Sequence, residues 1–525
     1  MPAPTATSSR HLVAAALCAA AAAAGALAWT HNNGYSLSYG DAAAHLNIAR
    51  RLWDSRTPGY EQIGTVWLPL PHWIMAPFTL NDSWWRSGLA GSLPAALFHA
   101  LAAILLWASA RRLFDNLPAA WTAMAAFLAN PNALYLGSIP MTEPFFAAAA
   151  MALFYCMTRD GPAWAAAAGF AAAAAALVRY EGWFLLPFAA LVLLFRKGLR
   201  DAAIFSLAAS IGPLYWLGHN RFFYGDALEF YRGPYSALAI QGKAPYPGQR
   251  DAGAAVLYYR TAVQLAAGWP LAALGAAGAA LSTLRGVIWP VALLALSPLF
   301  YLLSIHSAGT PVFVPTLWPN SYYNTRYALA ALPLLALGVA ALVWTVSRPL
   351  RTPAALLLSG ICALPWLSGP RAEAWICWKE SQVNSEARRA WTAAAAAYLK
   401  QHYRGGGILT SFGDLTAVFQ QAGIPLRETL HEGNSVAWLA AVTHPRFFLR
   451  TEWVVAISGD AAATGVVRSW RNGPRYDCVR MVIVKGAPPV EIYRRGSQAR
   501  LPEAAAEPED TAQPAEEAPP ALRQP

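Results

Sequence analysis

Several short constellations along this 525-residue sequence carry side chains able to move a proton or hold an anion. Asp41 and His45 lie one helical turn apart in Gly40-Asp41-Ala42-Ala43-Ala44-His45, and Ile48 and Leu52 continue the same side of a helix. A carboxylate so placed can take a proton from a hydroxyl; following Gly40 at the head of an alanine-rich run, it would equally serve as an N-cap. His45 by itself reads as a packed or interfacial histidine. In Trp67-Leu68-Pro69-Leu70-Pro71-His72-Trp73 the prolines stop a helix and fix the direction of the chain, and a phosphate headgroup is the polar partner expected for His72 at that depth. Three further clusters, Thr142-Glu143-Pro144, Arg179-Tyr180-Glu181-Gly182-Trp183 and Tyr322-Tyr323-Asn324-Thr325-Arg326-Tyr327, each stand at the end of an apolar run. Glu143 there would also cap a helix, and Arg179 with Glu181 is a candidate ion pair.

The elements that must position these groups are membrane helices. Hydrophobic residues make up 56% of the chain and charged ones 13%, with 22 tryptophans and a mean hydropathy of +0.32, whereas soluble domains carry about 25% charge. Apolar runs near the spanning length fall at 12–29, 88–107, 119–135, 144–157, 163–178, 183–195, 202–217, 254–281, 287–303, 327–346 and 353–367, which predicts about eleven transmembrane helices. Residues 12–29 are read as a retained first helix rather than a cleaved signal peptide, because the loop that follows is suited to stay beside the membrane. Arg10, Arg111, Arg112, Arg159, Arg196, Lys197, Arg200, Arg285, Arg348 and Arg351 occupy alternate loops, which puts that side in the cytoplasm. The opposite side then receives every constellation above. Burying a charge in a bilayer costs about 2.5–3.5 kcal/mol on insertion scales, so several charges sharing one side imply a wet cavity or a site.

Residues 1–368 are therefore expected to form a membrane domain whose first external loop, 30–86, carries amphipathic helices. Residues 369–498 change character: a helix at 386–402, strands at 408–411, 453–458 and 479–484, and a helix near 434–442 imply a small extracytoplasmic α/β domain. The Pro-, Glu- and Ala-rich stretch 499–525 reads as a disordered tail. Cys18, Cys156 and Cys362 fall within spans as small core residues, while Cys377 and Cys478, both in the exported part, leave a disulfide open. The net charge of +11 and the arginines between Arg371 and Arg500 fit either contact with anionic headgroups or a solvated basic surface.

Taken together, Gly40-Asp41-Ala42 with His45, Leu68-Pro69-Leu70-Pro71-His72, Thr142-Glu143-Pro144, Arg179-Tyr180-Glu181-Gly182-Trp183 and Arg326-Tyr327 resemble the polytopic GT-C-fold glycosyltransferases of the protein-mannosyltransferase and aminoarabinose-transferase kind. The resemblance spans roughly residues 14–346. It implies transfer of a hexose-type sugar from a polyprenyl-phosphate donor to a lipid, glycan or protein acceptor at the outer face of a bacterial cytoplasmic membrane, with membrane lipids and no nucleic acid as partners. Asp41 maps to the acidic residue of the first external loop, a catalytic base or metal ligand in that family. His45, His72, Glu143, Arg179, Glu181, Tyr322 and Arg326 are the candidates for binding substrate or lipid phosphate. The histidine here follows the prolines, unlike the His-x-Pro-Pro-Leu order of those branches. No Asp-x-Asp or Asp-Glu pair accompanies Asp41, so no cofactor is implied outright and a divalent metal is left open. The alternatives are a transporter or lipid-linked-sugar flippase, which would show broken helices at the membrane midplane, and a non-catalytic assembly protein.

Overall fold

The computed structural model describes residues 6–242, 244–369 and 371–496. In a bilayer each backbone N–H and C=O must be satisfied within the protein, and the apolar runs accordingly form helices. In chain order the helices are α1 (Ala6–Asn32), the short and largely buried α2 (Gly40–Arg51) and α3 (Leu70–Met75), α4 (Leu89–Phe114), α5 (Leu117–Leu128), α6 (Pro131–Leu136), α7 (Glu143–Met157), α8 (Pro162–Ala176), α9 (Tyr180–Lys197), α10 (Leu199–Ala209) and α11 (Ile211–Tyr224). They continue with α12 (Ala252–Ala267), α13 (Trp269–Leu284), α14 (Ile288–Ser307), α15 (Leu332–Thr345), α16 (Arg351–Leu367) and α17 (Ile376–Val383).

Among the described residues, five helical stretches are long and apolar enough to cross a membrane: Ser9–Asn32, Leu89–Phe114, Ile288–Ser307, Thr325–Thr345 and Arg348–Leu367. Others are shorter apolar helices, among them α5, α7 and α8. Residues 254–281, expected as one span, are instead two helices, α12 and α13, bent by 111° at Gly268, whose φ of +85° lies in the left-handed region. The bend frees the carbonyl of Ala266, which accepts from Asn130 Nδ2 at 2.9 Å and Asn132 Nδ2 at 3.0 Å. These two amides make a broken helix tolerable in an apolar setting. The run 119–135 is likewise divided, because Asn130 caps α6 by accepting from Ala133 N and Pro131 starts a new helix.

Small residues set how closely the helices approach. A Cβ on Gly278 of α13 would lie 1.9 Å from the carbonyl oxygen of Gly338 on α15, so those two helices meet backbone to backbone. On α1 and α16 the leucines Leu17, Leu356 and Leu367 face outward, as expected where lipid tails rather than protein cover the surface.

The chain divides into two compact units. One takes in the residues up to Ala49 and Thr65–Ser385; the other takes in Arg50–Gly64 and the chain from Glu386 onward. The second unit comprises α18 (Glu386–His402), β1 (Ile408–Thr410), α19 (Thr416–Ala422), β2 (Thr429–Leu430), α20 (Ser435–Thr443), α21 (Pro445–Phe448), β3 (Trp453–Ile457), α22 (Ala461–Asn472), β4 (Tyr476–Val482) and β5 (Val490–Arg495). Its strands form one sheet in the order β2-β1-β3-β5-β4, with β2, β1 and β3 parallel and β5 antiparallel to both β3 and β4. Val454 and Ala456 share a buried cluster with Ala441 and Val442 of α20 and Ala462 and Val466 of α22.

The α/β unit begins at Glu386 rather than at residue 369, since α17 packs into the membrane unit. It also contains Arg50–Gly64, part of the stretch expected as the first external loop. The Asp54 carboxylate accepts from Arg50 Nε at 2.8 Å and from Leu426 N, Arg427 N and Arg427 Nη1 at 3.2 Å, while Gln62 Nε2 donates to the Gly433 carbonyl at 2.7 Å. A carboxylate with that many donors is a strong local anchor, which is why a stretch of loop joins a unit far along the chain. The expected disordered tail, 499–525, lies outside the described residues.

Candidate functional site

The site is built around Arg326, which stands at the second position of the 3-10 turn Thr325–Ala331 leading into α15. The turn needs a sharp start, and Asn324 supplies it with φ +55° while its Nδ2 donates to the Pro311 carbonyl at 3.0 Å. The orphan donors at that start are taken by Glu380 of α17, whose carboxylate accepts from Asn324 N at 3.1 Å, Thr325 N at 2.8 Å and Thr325 Oγ1 at 2.5 Å. Helix α17 is itself fixed: Cys377 N donates to Asn132 Oδ1 at 2.9 Å, Tyr39 OH donates to the Cys377 carbonyl at 2.8 Å, and the Tyr135 and Ser381 hydroxyls are 2.8 Å apart. Burial pushes the Glu380 carboxyl up from its ordinary pKa, against the pull of Arg326 and the three donors.

From this base the Arg326 guanidinium reaches three carboxylates. Its Nη2 donates to Asp41 Oδ2 at 2.5 Å, its Nε lies 3.3 Å from Glu143 Oε1, and its Nη1 lies 4.0 Å from Glu380 Oε1. The rings of Tyr39 and Tyr327 sit 5.3 and 5.4 Å from its Cζ. Arg179 reaches the same place from the start of α9. Its Nη1 donates to Thr142 Oγ1 at 2.6 Å and Glu143 Oε1 at 3.1 Å, its Nη2 donates to Tyr301 OH at 2.7 Å, and its Nε is 3.5 Å from Glu181 Oε2. Glu143 thus bridges the two arginines. Gly182 permits this placement, because a Cβ there would lie 2.5 Å from the backbone of Ala175 at the end of α8.

A cavity opens beside these groups. Its wall combines the polar side chains of Glu143, Arg179, Glu181, Tyr301, Arg326 and Tyr327 with a larger apolar set that includes Phe146, Met151 and Phe154 of α7, Leu185 of α9, Leu293 of α14 and Leu332 of α15. Asp41 is not among the wall residues and meets the cavity through Arg326. His99 of α4 also lines it, buried and stacked on Phe127.

Of the residues singled out in the sequence, Asp41, Glu143, Arg179, Glu181 and Arg326 come together despite lying far apart along the chain. His45 and His72 meet each other, His45 Nδ1 and His72 Nε2 standing 3.0 Å apart, with His45 packed on Trp67. Burial, reinforced by Arg326 and Arg179, lowers the pKa of His45 to about 3, so it is neutral near pH 7. Tyr322 packs against the buried cluster around Tyr39 and Tyr135, and its carbonyl accepts from Asn384 Nδ2 at 2.7 Å. Glu380, Tyr39 and Tyr301 were not singled out. The trace of Glu380 in the sequence is an acid set among Trp375, Cys377 and Trp378 just past the last apolar run; the two tyrosines carry no local signal.

Cys377 and Cys478 are both free. Cys377 is buried in the membrane unit and Cys478 lies on β4 of the other, so the disulfide left open above is not formed. Among the described residues no group of three or more His, Cys, Asp or Glu side chains is arranged to hold a metal ion.

No curated protein matches the chain by sequence. The profile of the family described as dolichyl-phosphate-mannose-protein mannosyltransferase matches residues 69–214, a stretch that holds His72, Glu143, Arg179 and Glu181 but neither Asp41 nor Arg326. The fold is similar to the crystal structure of ArnT from Cupriavidus metallidurans in the apo state, with TM-score 0.53 and 13% identity over 87% of this chain and 94% of that one. It is also similar to ArnT from the same organism bound to undecaprenyl phosphate, with TM-score 0.56 and 13% identity over 90% of this chain and 98% of that one. The protein is a multi-pass membrane protein with the GT-C fold, the class its sequence motifs resemble.

Proposed function

We propose that this protein is a membrane glycosyltransferase that moves a sugar from a polyprenyl-phosphate donor to an acceptor hydroxyl. The observation that carries the reading is the lining of the cavity: the two guanidiniums of Arg179 and Arg326 in a wall that is otherwise largely apolar, which suits a lipid phosphate with its isoprenoid chain. The ArnT relative bound to undecaprenyl phosphate supports the same ligand class. Asp41 acts as base and takes the proton of the acceptor hydroxyl. The acceptor oxygen forms its bond to the anomeric carbon as the bond from that carbon to the phosphate oxygen breaks. Polyprenyl phosphate leaves with the electron pair, its charge met by Arg326 and Arg179. Tyr39, Tyr301 and Tyr327 keep both guanidiniums aligned.

The sugar is of hexose type and the acceptor a lipid, glycan or protein in the cell envelope. The distribution of arginines between alternate loops supports a site on the extracytoplasmic face of the bacterial cytoplasmic membrane, with the α/β unit on that side.

The test uses the purified protein. Undecaprenyl phosphate should raise its melting temperature by mass action, and Arg326→Ala and Arg179→Ala should abolish that rise. A wild-type protein indifferent to the lipid phosphate would refute the donor class.

A further inference from the structure

The α/β unit has one face that a water-soluble domain would not leave bare. Helix α20 contains no charged residue, and Val436 and Leu439 on it are 76% and 54% exposed. The next element, α21, exposes Phe447 and Phe448 at 59% and 54%, and α22 beside them exposes Trp470. The three helices form one surface: Arg468 Nη1 of α22 donates to the Val442 carbonyl of α20 at 3.1 Å, and a Cβ at Gly473 would lie 3.2 Å from Arg446 of α21. Apolar residues clustered in this way mark an interaction surface.

Charge identifies the partner. Residues 435–475 hold five arginines, Arg446, Arg450, Arg468, Arg471 and Arg475, all exposed, and only two acids, Glu452 and Asp460. Both acids are engaged elsewhere: Glu452 pairs with Arg494 at 2.8 Å, and Asp460 caps α22 by accepting from Ala463 N at 2.8 Å. Phenylalanine and tryptophan ringed by uncompensated arginine is the composition of a surface that enters a headgroup layer, aromatic rings at the acyl boundary and guanidiniums among phosphates. The unit is also tethered. Residues 368–385 join it to α16, so it is held at high effective concentration beside lipid.

We infer that the face formed by α20, α21 and α22 rests in the surface of a bilayer containing anionic lipids, through Leu439, Phe447, Phe448 and Trp470 with Arg446 and Arg450. This contact is independent of the cavity chemistry.

The full-length protein is reconstituted in nanodiscs of phosphatidylcholine and phosphatidylglycerol and carries an environment-sensitive fluorophore on Phe448→Cys. A second sample carries it on Val436→Cys, and Gln421→Cys, an exposed position on α19, is the control. The parent protein labelled identically supplies the background from native cysteines. Nitroxide lipids should quench the label at 448 or 436 and leave the label at 421 bright. Arg446→Glu with Arg450→Glu, or replacing phosphatidylglycerol by phosphatidylcholine, should diminish the quenching. Labels at 448 and 436 reached by aqueous iodide but not by nitroxide lipid overturn the proposal. Labels shielded from both overturn it in favour of a protein partner or a second copy, and equal quenching at 421 overturns the assignment to this face.

Discussion

Replacing Asp41 by asparagine separates two roles that the ion pair with Arg326 combines. The contact is 2.5 Å long between side chains 18% and 11% exposed, so it is shielded enough to count in stability. A hydrogen bond to a charged partner contributes about 1.5–3 kcal/mol and a neutral one about 0.5–1.5 kcal/mol. The amide keeps an acceptor for Arg326 Nη2, and Arg326 keeps Glu143 at 3.3 Å. Asp41→Asn should therefore destabilise the protein by only about 1 kcal/mol, a small fall in melting temperature. Its effect on chemistry should be far larger. A positioned general base contributes about 10²–10⁴ to rate, so transfer of labelled sugar from polyprenyl-phosphate donors in membranes should fall by that factor. The split between kinetic constants is decisive, because loss of the base lowers kcat, whereas displacement of Arg326 raises KM for the donor. Asp41→Asn with near wild-type kcat would refute the catalytic role and leave Asp41 as an anchor for Arg326.

Arg326→Lys keeps the charge and loses the planar fork, so donor affinity should weaken by about tenfold, or 1.4 kcal/mol, in a lipid-phosphate binding assay. Glu380→Gln replaces one of the two accepting oxygens by an NH2, which then faces the N–H of either Asn324 or Thr325; leaving a buried donor unpaired costs about 1–3 kcal/mol, so melting temperature should fall and donor KM rise together. His45 titrates near pH 3 in the fold and near 6.5 when unfolded, so the unfolded chain binds the extra proton between those values and stability declines as pH falls through that window. At pH 5.5 the loss is about 1.4 kcal/mol relative to pH 8, and His45→Gln should remove that part of the slope in thermal unfolding. A phosphatase fused after residue 496 should be active only outside the cytoplasm, whereas a fluorescent cytoplasmic fusion at that position would overturn the proposed sidedness.

The helices were legible because composition and run length record them, and bilayer physics leaves few alternatives for an apolar run. The convergence of Asp41, Glu143, Arg179 and Arg326 was legible for a related reason: charges at the ends of apolar runs are costly unless they meet. The bend at Gly268 was not, because the stretch 254–281 is apolar enough along its length to be read as one span, and the groups that compensate the break, Asn130 and Asn132, lie in another segment. Glu380 stayed hidden because its hydrogen bonds go to backbone groups of Asn324 and Thr325, which any sequence has. The capture of Arg50–Gly64 by the α/β unit rests on Asp54 and Gln62, whose partners at Leu426, Arg427 and Gly433 are again largely backbone.

The ion pair between Asp41 and Arg326 also bears on how the proposed reaction is timed. While Arg326 Nη2 donates to Asp41 Oδ2 at 2.5 Å, that N–H and that oxygen are occupied by each other. A donor phosphate reaching Arg326 competes with Asp41 for the same Nη2, and Glu143, bridging Arg326 and Arg179, keeps both guanidiniums in place during the exchange. Asp41 Oδ2 is then released from Arg326 when the donor is bound and is open to the acceptor hydroxyl whose proton has to be taken. Removing the charge at position 41 removes the competitor as well as the base. Donor affinity of Asp41→Asn should therefore equal or exceed that of the wild type while transfer is lost, and a variant that loses both together would show that Asp41 holds Arg326 in place instead of competing for it.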